Sequence, residues 1–595
     1  MVSSLRPQRS ENDSPQQPPD RAFFAFLGVR DLKQTIAFGL KIARITGIAG
    51  ITATIVGWCS PSLGAARLSI ALKSFEFSLP ITDLETYAKT GVITQEFDAY
   101  ARAVPPESLS TLREILQRPA NLNPYAVSRM VYTPIGDIVL RRLGAVLQTG
   151  SHQNGALALR SAFVQAAAAP DGLTLLNVLK AFPTPEIRVD LDAALAVAQE
   201  AVNLYYERES LITAVQTQSI QESQTQTIAP GNPHPIDYNQ LPDLRQPGTV
   251  TWQRQSLDFT DPSRQRSVPT DIYWPNYTGK APLVVISHGV GGDRSSFAYL
   301  AQHLASYGFV VIVPEHIGSN AKTVQDFFQG LTEPLPQEAL DRPWDVTFIL
   351  NTLQYFSQIS PAWEARLDLN QVGVIGQSFG GYTALALGGA TLNFDELGKE
   401  CAKPEPDNAS LNISFLLQCT TYLLPRQSYL LRDPRIKATI AINPFTSHIF
   451  GKTGLGQVQV PTLLVASGDD LIVPAGPEQF YPFTWLEGQP RYLALFAKGT
   501  HFSTLSEEET QQGVFAIPPT LLGADPRISH RYLNALSVAF LRSYLMQDSL
   551  TPLYLQASYG QFLNEPAMPL SFMQSLPVEV LDAAVSQRSN AKRKR

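Results

Sequence analysis

Residues Val372–Ala390 read VGVIGQSFGGYTALALGGA. A short apolar run stops at a Ser boxed in by Gly376, Gly380 and Gly381, and an apolar, helix-like segment follows. A run that is apolar at every position predicts a strand covered on both faces, the kind found in parallel sheets. The segment therefore reads as strand, tight turn and helix, with Ser378 at the turn. The same alternation continues on both sides of it. PLVVISHGV, FAYLAQHLASYG, FVVIVPEHI, DVTFILNTLQYF, IKATIAINP, PTLLVASGDD and YLALFAKGTH supply short apolar runs and helical periods in turn. This is the signature of an α/β doubly wound sheet, in which ligands bind outside the carboxyl ends of the strands.

Gly376-Gln377-Ser378-Phe379-Gly380 fits G-x-S-x-G, the bend that lifts a Ser hydroxyl above such a sheet. A Ser hydroxyl needs a base to take its proton and an acid to orient the base. In this fold they follow in the order Ser, acid, His. The strand PTLLVAS ends in Gly468-Asp469-Asp470, and RYLALFA ends in Lys498-Gly499-Thr500-His501. Asp470 lies 92 residues after the Ser, and His501 a further 31 on, spacings that accommodate the intervening strand–helix units. Of the two aspartates, Asp470 is preferred because it stands four before Pro474; Asp469 is the alternative. Of the eight His, His448 precedes the acid and His530 sits in a helical segment. The oxyanion of a tetrahedral intermediate needs backbone N–H donors. Phe379, just after the Ser, supplies one; Ser287-His288-Gly289-Val290-Gly291-Gly292, just after PLVVI, supplies the other through Val290. His288 is read as orienting that loop beside the substrate, and Phe445, after the strand AINP, as lining the same cleft.

Taken together, SHGVGG, VPEH, RPWDVTFIL, GQSFGG, GDDLIVP and GTHF resemble the platelet-activating-factor acetylhydrolase and dienelactone-hydrolase-like branch of the α/β-hydrolases, over about Val250 to Asp548. The resemblance implies Ser378 as nucleophile, Asp470 as orienting acid and His501 as base. Residues from about Arg67 to Tyr206 resemble a module of unknown function fused to such hydrolases in cyanobacteria, which implies a cyanobacterial, periplasmic source. Two features depart from the family pattern. Gln377 stands where many relatives have His, and an insertion at about 392–433 separates the nucleophile helix from the strand IKATIAINP.

A chain of 595 residues is too long for one core and predicts at least two domains. At 44% apolar, 16% charged and a net charge of −6 it is globular, and no nucleic-acid partner is expected. Residues 1–66 read as a Pro-rich tail, a basic region and the uncharged run Ile45–Ala66. That is the layout of a signal peptide for export; a retained inner-membrane anchor, with the membrane then nearby, is the competing reading. Residues 67–215 predict a mostly helical domain of no evident chemistry, opened by one strand-like piece, RLSIALKSFEFSLPI. Residues 216–248, rich in Gln, Ser, Thr and Pro, predict a linker; 249–575 form the hydrolase domain, and 576–595 a disordered basic tail.

The insertion reads either as a lid or acyl-chain wall or as an ordinary helical excursion. Its Cys401 and Cys419 read as a disulfide if the chain is exported, or as two separate buried thiols. No cofactor and no metal are expected, since no HExxH or comparable ligand spacing occurs. Oligomeric state leaves no signal. The function expected is a serine ester hydrolase working through an acyl-enzyme on a lipid or small-molecule ester. The alternatives are a polyester, peptide or thioester substrate, or a noncatalytic scaffold on a vestigial hydrolase fold.

Overall fold

The computed structural model describes residues 64–593, apart from 73–74, 103–104, 121, 227–235, 277, 330, 333–335, 403–411, 513–516 and 518. The expected tail and nearly all of the expected signal segment lie outside the described residues. The chain divides into two compact units, Met1–Val197 and Ala198–Arg595.

The first unit is not purely helical. The expected single strand is a hairpin of β1 (Arg67–Leu72) and β2 (Phe75–Pro80), and β3 (Leu147–Thr149) and β4 (Glu186–Asp190) complete a sheet in the order β2-β1-β4-β3. Helices cover it, and their starts are written in the sequence. Thr94, Asn123, Thr133 and Thr174 each accept a first-turn N–H, and Pro124 and Pro134 occupy first helical positions where no N–H is missed. Ala158, Ala162 and Ala166 recur at helical spacing in the helix Ala156–Ala167 and are buried against Leu176 and Leu179. Small side chains there let helices approach closely.

The second unit carries β5 (Trp252–Asp261), β6 (Arg266–Pro275), β7 (Ala281–Ser287), β8 (Val310–Pro314), β9 (Leu367–Gln377), β10 (Ile436–Ile442), β11 (Thr462–Ser467), β12 (Arg491–Phe496) and β13 (Leu570–Met573). They form one sheet in the order β13-β12-β11-β10-β9-β7-β8-β6-β5. The strands from β8 through β12 run parallel, while β5, β6 and β13 add antiparallel edges. Both faces are apolar, as the uninterrupted runs predicted. In β7 Val284 and Ile286 join one core while Leu283 and Val285 join another, and in β11 Leu463 and Val465 alternate in the same way with Leu464 and Ala466. The fold is α/β, as expected.

Two boundaries differ from expectation. The helix Leu191–Gln226 runs through the start of the expected linker. Its polar composition hides one buried stripe: Leu211, Ile212 and Val215 pack into the core of the second unit. Ser219 and Glu222, one and two turns on, accept the main-chain N–H groups of Phe572, Gln574 and Ser575 at 2.8–3.1 Å. Those bonds satisfy backbone along and just past β13, the outermost strand. The expected disordered tail is likewise a helix, Val578–Arg593, because Leu581 on its first turns is buried in the same core.

Candidate active site

Ser378 follows β9 directly and opens the helix Phe379–Gly388 with φ 57° and ψ −116°, a positive-φ backbone that a non-glycine residue adopts only under strain. The bend is possible because its neighbours lack side chains. A Cβ on Gly376 would collide with the Gly380 carbonyl, and one on Gly380 with the carbonyls of Ser287 and His288. Asp470 follows β11 and His501 follows β12, so all three residues stand at carboxyl ends of the sheet. His501 Nδ1 lies 2.7 Å from Asp470 Oδ2. The other oxygen, Oδ1, accepts the main-chain N–H groups of Ile472 and Val473 at 2.8 and 2.7 Å, so the carboxylate is fixed at both ends. Asp469 points elsewhere, pairing with Arg208 Nη1 at 3.2 Å.

The loop after β7 lies against the nucleophile turn. No protein acceptor takes the main-chain N–H of Val290 or Phe379 among the described residues; Phe379 is the first residue of its helix, where N–H groups have no intrahelical partner. Both donors are available. His288 is fully buried. Its Nε2 accepts the His316 N–H at 3.1 Å, so its Nδ1 carries the proton and donates to the Gly289 carbonyl at 2.7 Å. Both ring nitrogens serve main chain, which fits the loop-orienting reading and leaves neither for a substrate contact. Burial, reinforced by Arg342 and His316, holds its pKa well below the usual histidine value, so the ring stays neutral. The expectation for Phe445 is corrected. It is buried between Phe379 and Tyr382, with ring centroids 5.4 and 5.7 Å away, and supports the turn from behind.

Two family models match the chain. One described as an alpha/beta hydrolase of unknown function matches residues 64–190, and one described as platelet-activating factor acetylhydrolase, isoform II, matches residues 266–344. The chain has the α/β-hydrolase fold and resembles the platelet-activating-factor acetylhydrolases. A cutinase of Thermobifida alba is 25% identical over 296 residues, which cover 49% of this chain and 67% of the cutinase. The platelet-activating factor acetylhydrolase of Cavia porcellus is 27% identical over 150 residues, 20% of this chain and 34% of its own. A putative phospholipase A2 of Schizosaccharomyces pombe is 38% identical over 58 residues, 9% of this chain and 13% of its own.

The second unit holds several residues near this site to which sequence reasoning gave no role. Gln377 Nε2 donates to the His501 carbonyl at 3.1 Å and lies 3.3 Å from His501 Nε2. Beneath the loop, Ser287 Oγ lies 2.9 Å from His316 Nε2, and His316 Nδ1 lies 3.0 Å from Asp345 Oδ2. Arg264 and Arg266 each reach Asp345 at 2.9 Å. Arg342, which is fully buried, donates to the carbonyls of His288 and Gly289. Arg342, Asp345 and His316 fall inside the motifs RPWD and VPEH. The available signal was the cluster of four charges, Glu338, Asp341, Arg342 and Asp345, in the first turns of the helix Glu338–Ile359; charges buried there need partners.

Cys401 and Cys419 of the insertion form a disulfide. The insertion helix Ile413–Thr421 is tied to the body by the buried Glu478, which accepts from Asn412 Nδ2 (2.6 Å), Gln418 Nε2 (2.9 Å) and the main chain of Thr446 (2.7 Å) and Ser447 (2.9 Å). Among the described residues, no group of three or more His, Cys, Asp and Glu side chains is arranged to hold a metal ion. No described helix is long and apolar enough to cross a membrane.

Proposed function

We propose that this hydrolase cleaves carboxylic esters through an acyl-enzyme on Ser378. His501 Nε2 takes the hydroxyl proton as Oγ attacks the carbonyl carbon, then returns it to the leaving alcohol. Asp470 holds the ring with Nδ1 protonated and steadies the imidazolium that forms; it keeps its own charge. The negative charge gathering on the carbonyl oxygen is met by the N–H groups of Phe379 and Val290, dipoles already in place before reaction. Water repeats the sequence to release the acid.

The observation carrying this reading is the 2.7 Å pairing of His501 with a doubly anchored Asp470, at the same sheet end as a Ser on a strained bend. Relatives named cutinase, phospholipase and acetylhydrolase support ester chemistry. A polymeric ester is the second reading for the substrate, favoured by the length of the cutinase match. The disulfide supports an oxidising compartment, and with the uncharged run Ile45–Ala66 it supports export. The test is hydrolysis of p-nitrophenyl esters across acyl lengths by the enzyme and by Ser378→Ala. Turnover that the variant lacks supports the mechanism, and equal rates for both proteins would refute it.

A further inference from the structure

The Gly289–Val290 peptide decides where one oxyanion donor points. Its carbonyl is held from within the protein by two donors, Arg342 Nη2 at 3.2 Å and His288 Nδ1 at 2.7 Å. The peptide before it is held the same way, with the His288 carbonyl taking Arg342 Nη1 at 2.6 Å. In a trans peptide the N–H points opposite to the C=O. Among the described residues the one cis bond is Gln489–Pro490. Fastening the Gly289 oxygen inward therefore turns the Val290 N–H outward, away from the guanidinium.

The same guanidinium lies over the ring of Phe379, 4.5 Å from its centroid, and Phe379 carries the other donor. One side chain thus touches both halves of the oxyanion hole. Its own place is over-determined. Nε donates to Ser319 Oγ at 2.9 Å, the Glu338 carboxylate stands 3.9 Å away, and the group is wholly out of solvent. Burial lowers its pKa to about 10, which still leaves it charged at neutral pH.

We propose that Arg342 is the positioning residue of the oxyanion hole: its fork on the His288 and Gly289 carbonyls and its stacking on Phe379 aim the Val290 and Phe379 N–H groups at the reacting carbonyl oxygen. This rests on the ester-hydrolase reading above. A planar guanidinium can bridge two successive carbonyls where an ammonium cannot, so Lys is not an equivalent.

The experiment uses the full chain with Arg342→Lys and Arg342→Met. Active sites are counted by fluorophosphonate labelling of Ser378, and kcat is expressed per labelled site, which removes any unfolded fraction from the comparison. Removal of an oxyanion donor costs roughly 10²- to 10³-fold in kcat, so a fall of about 10²-fold is expected with KM changed by less than about threefold. Amide exchange in residues 288–292 should quicken in both variants. A merely structural Arg would lower melting temperature and labelled fraction but leave kcat per labelled site intact, and that result overturns the proposal. Ser319→Ala, which removes the hydroxyl that accepts from Nε and donates to Glu338, serves if the Arg342 variants do not fold. It should lower kcat severalfold with KM unchanged, and an unchanged kcat would count against the role. Should the unaltered enzyme neither label nor turn over, the ester reading falls, and the exchange measurement alone judges Arg342: unaltered exchange in the variants overturns it.

Discussion

Among its described residues the second unit sets Ser, His and Asp side chains near one another in two places, and the two differ in their surroundings. Ser287, His316 and Asp345 form an unbroken string of 2.9 and 3.0 Å contacts, yet all three are completely buried. Ser378, His501 and Asp470 retain 7, 6 and 2% exposure at the carboxyl end of the sheet. The charges differ as well. Asp345 is shared with Arg264 and Arg266, and burial raises its pKa against their pull. Burial and the nearby Arg342, Arg266 and Arg264 drive the pKa of His316 far below the usual value, so this imidazole is a poor proton acceptor. Asp470 instead faces two main-chain N–H groups and its His. Backbone conformation completes the contrast, because Ser378 sits on the strained bend beside two free N–H donors while Ser287 is the last residue of a regular strand. Hydrogen-bond geometry alone does not make a nucleophile. On the proposed mechanism, access, an acid left to its histidine and a pre-aimed oxyanion hole do.

The largest effect that would break this comparison is a simple exchange of serines. Ser378→Ala should lower kcat by at least about 10⁴-fold, whereas Ser287→Ala should leave kcat within about tenfold and cost roughly 1–2 kcal/mol of stability for a lost buried hydrogen bond; ester kinetics and urea unfolding measure the pair. Next come the acids. Asp470→Asn leaves the ring free to adopt the wrong tautomer and should cost about 10⁴-fold in kcat, while Asp469→Asn, whose carboxylate pairs with Arg208, should stay within about tenfold in the same assay. Asp345→Asn is expected to act on folding, by about 3–5 kcal/mol in chemical denaturation, since Arg264 and Arg266 would lose their shared buried counter-charge.

How much of this was legible in the sequence follows from the range of the interactions. Ser378, Asp470 and His501 each end an apolar run, and local pattern plus the order of the fold locates them without any knowledge of contacts. The Ser287–His316–Asp345 string was not legible, because it joins a strand end, the loop after the next strand and a helix, and nothing in one segment announces the others. Phe445 misled for a related reason. A Phe after a strand end suggests a cleft wall, but two aromatic neighbours, Phe379 and Tyr382, the latter stacked in turn on Phe450, bury it. The helix through residues 217–226 was hidden by its composition, since its inward Ser219 and Glu222 are polar and earn burial by capping main chain at the edge strand.

Two smaller effects sharpen the contrast. His288 and His316 have pKa values held well below 6.5 by burial, and that of His303 is lowered to about 4. Such groups bind more protons unfolded than folded. Their contribution to stability is therefore full above pH 6.5 and declines as pH falls below it, by up to about 1.4 kcal/mol per pH unit for each histidine. Melting temperature followed from pH 8 to pH 5 should fall, and His303→Gln should flatten the slope without changing kcat at pH 8. Reduction of the Cys401–Cys419 bond should lower stability by about 3 kcal/mol on the chain-entropy argument, read as the shift in urea midpoint with and without reductant.

The central claim is that exposure, backbone strain and oxyanion donors select one serine of the two. Fluorophosphonate labelling of the full chain followed by peptide mapping tests it directly. Stoichiometric modification of Ser378, none at Ser287, and loss of ester turnover in proportion to label are the predicted result. Label on Ser287, or full turnover by a protein labelled at Ser378, would contradict it.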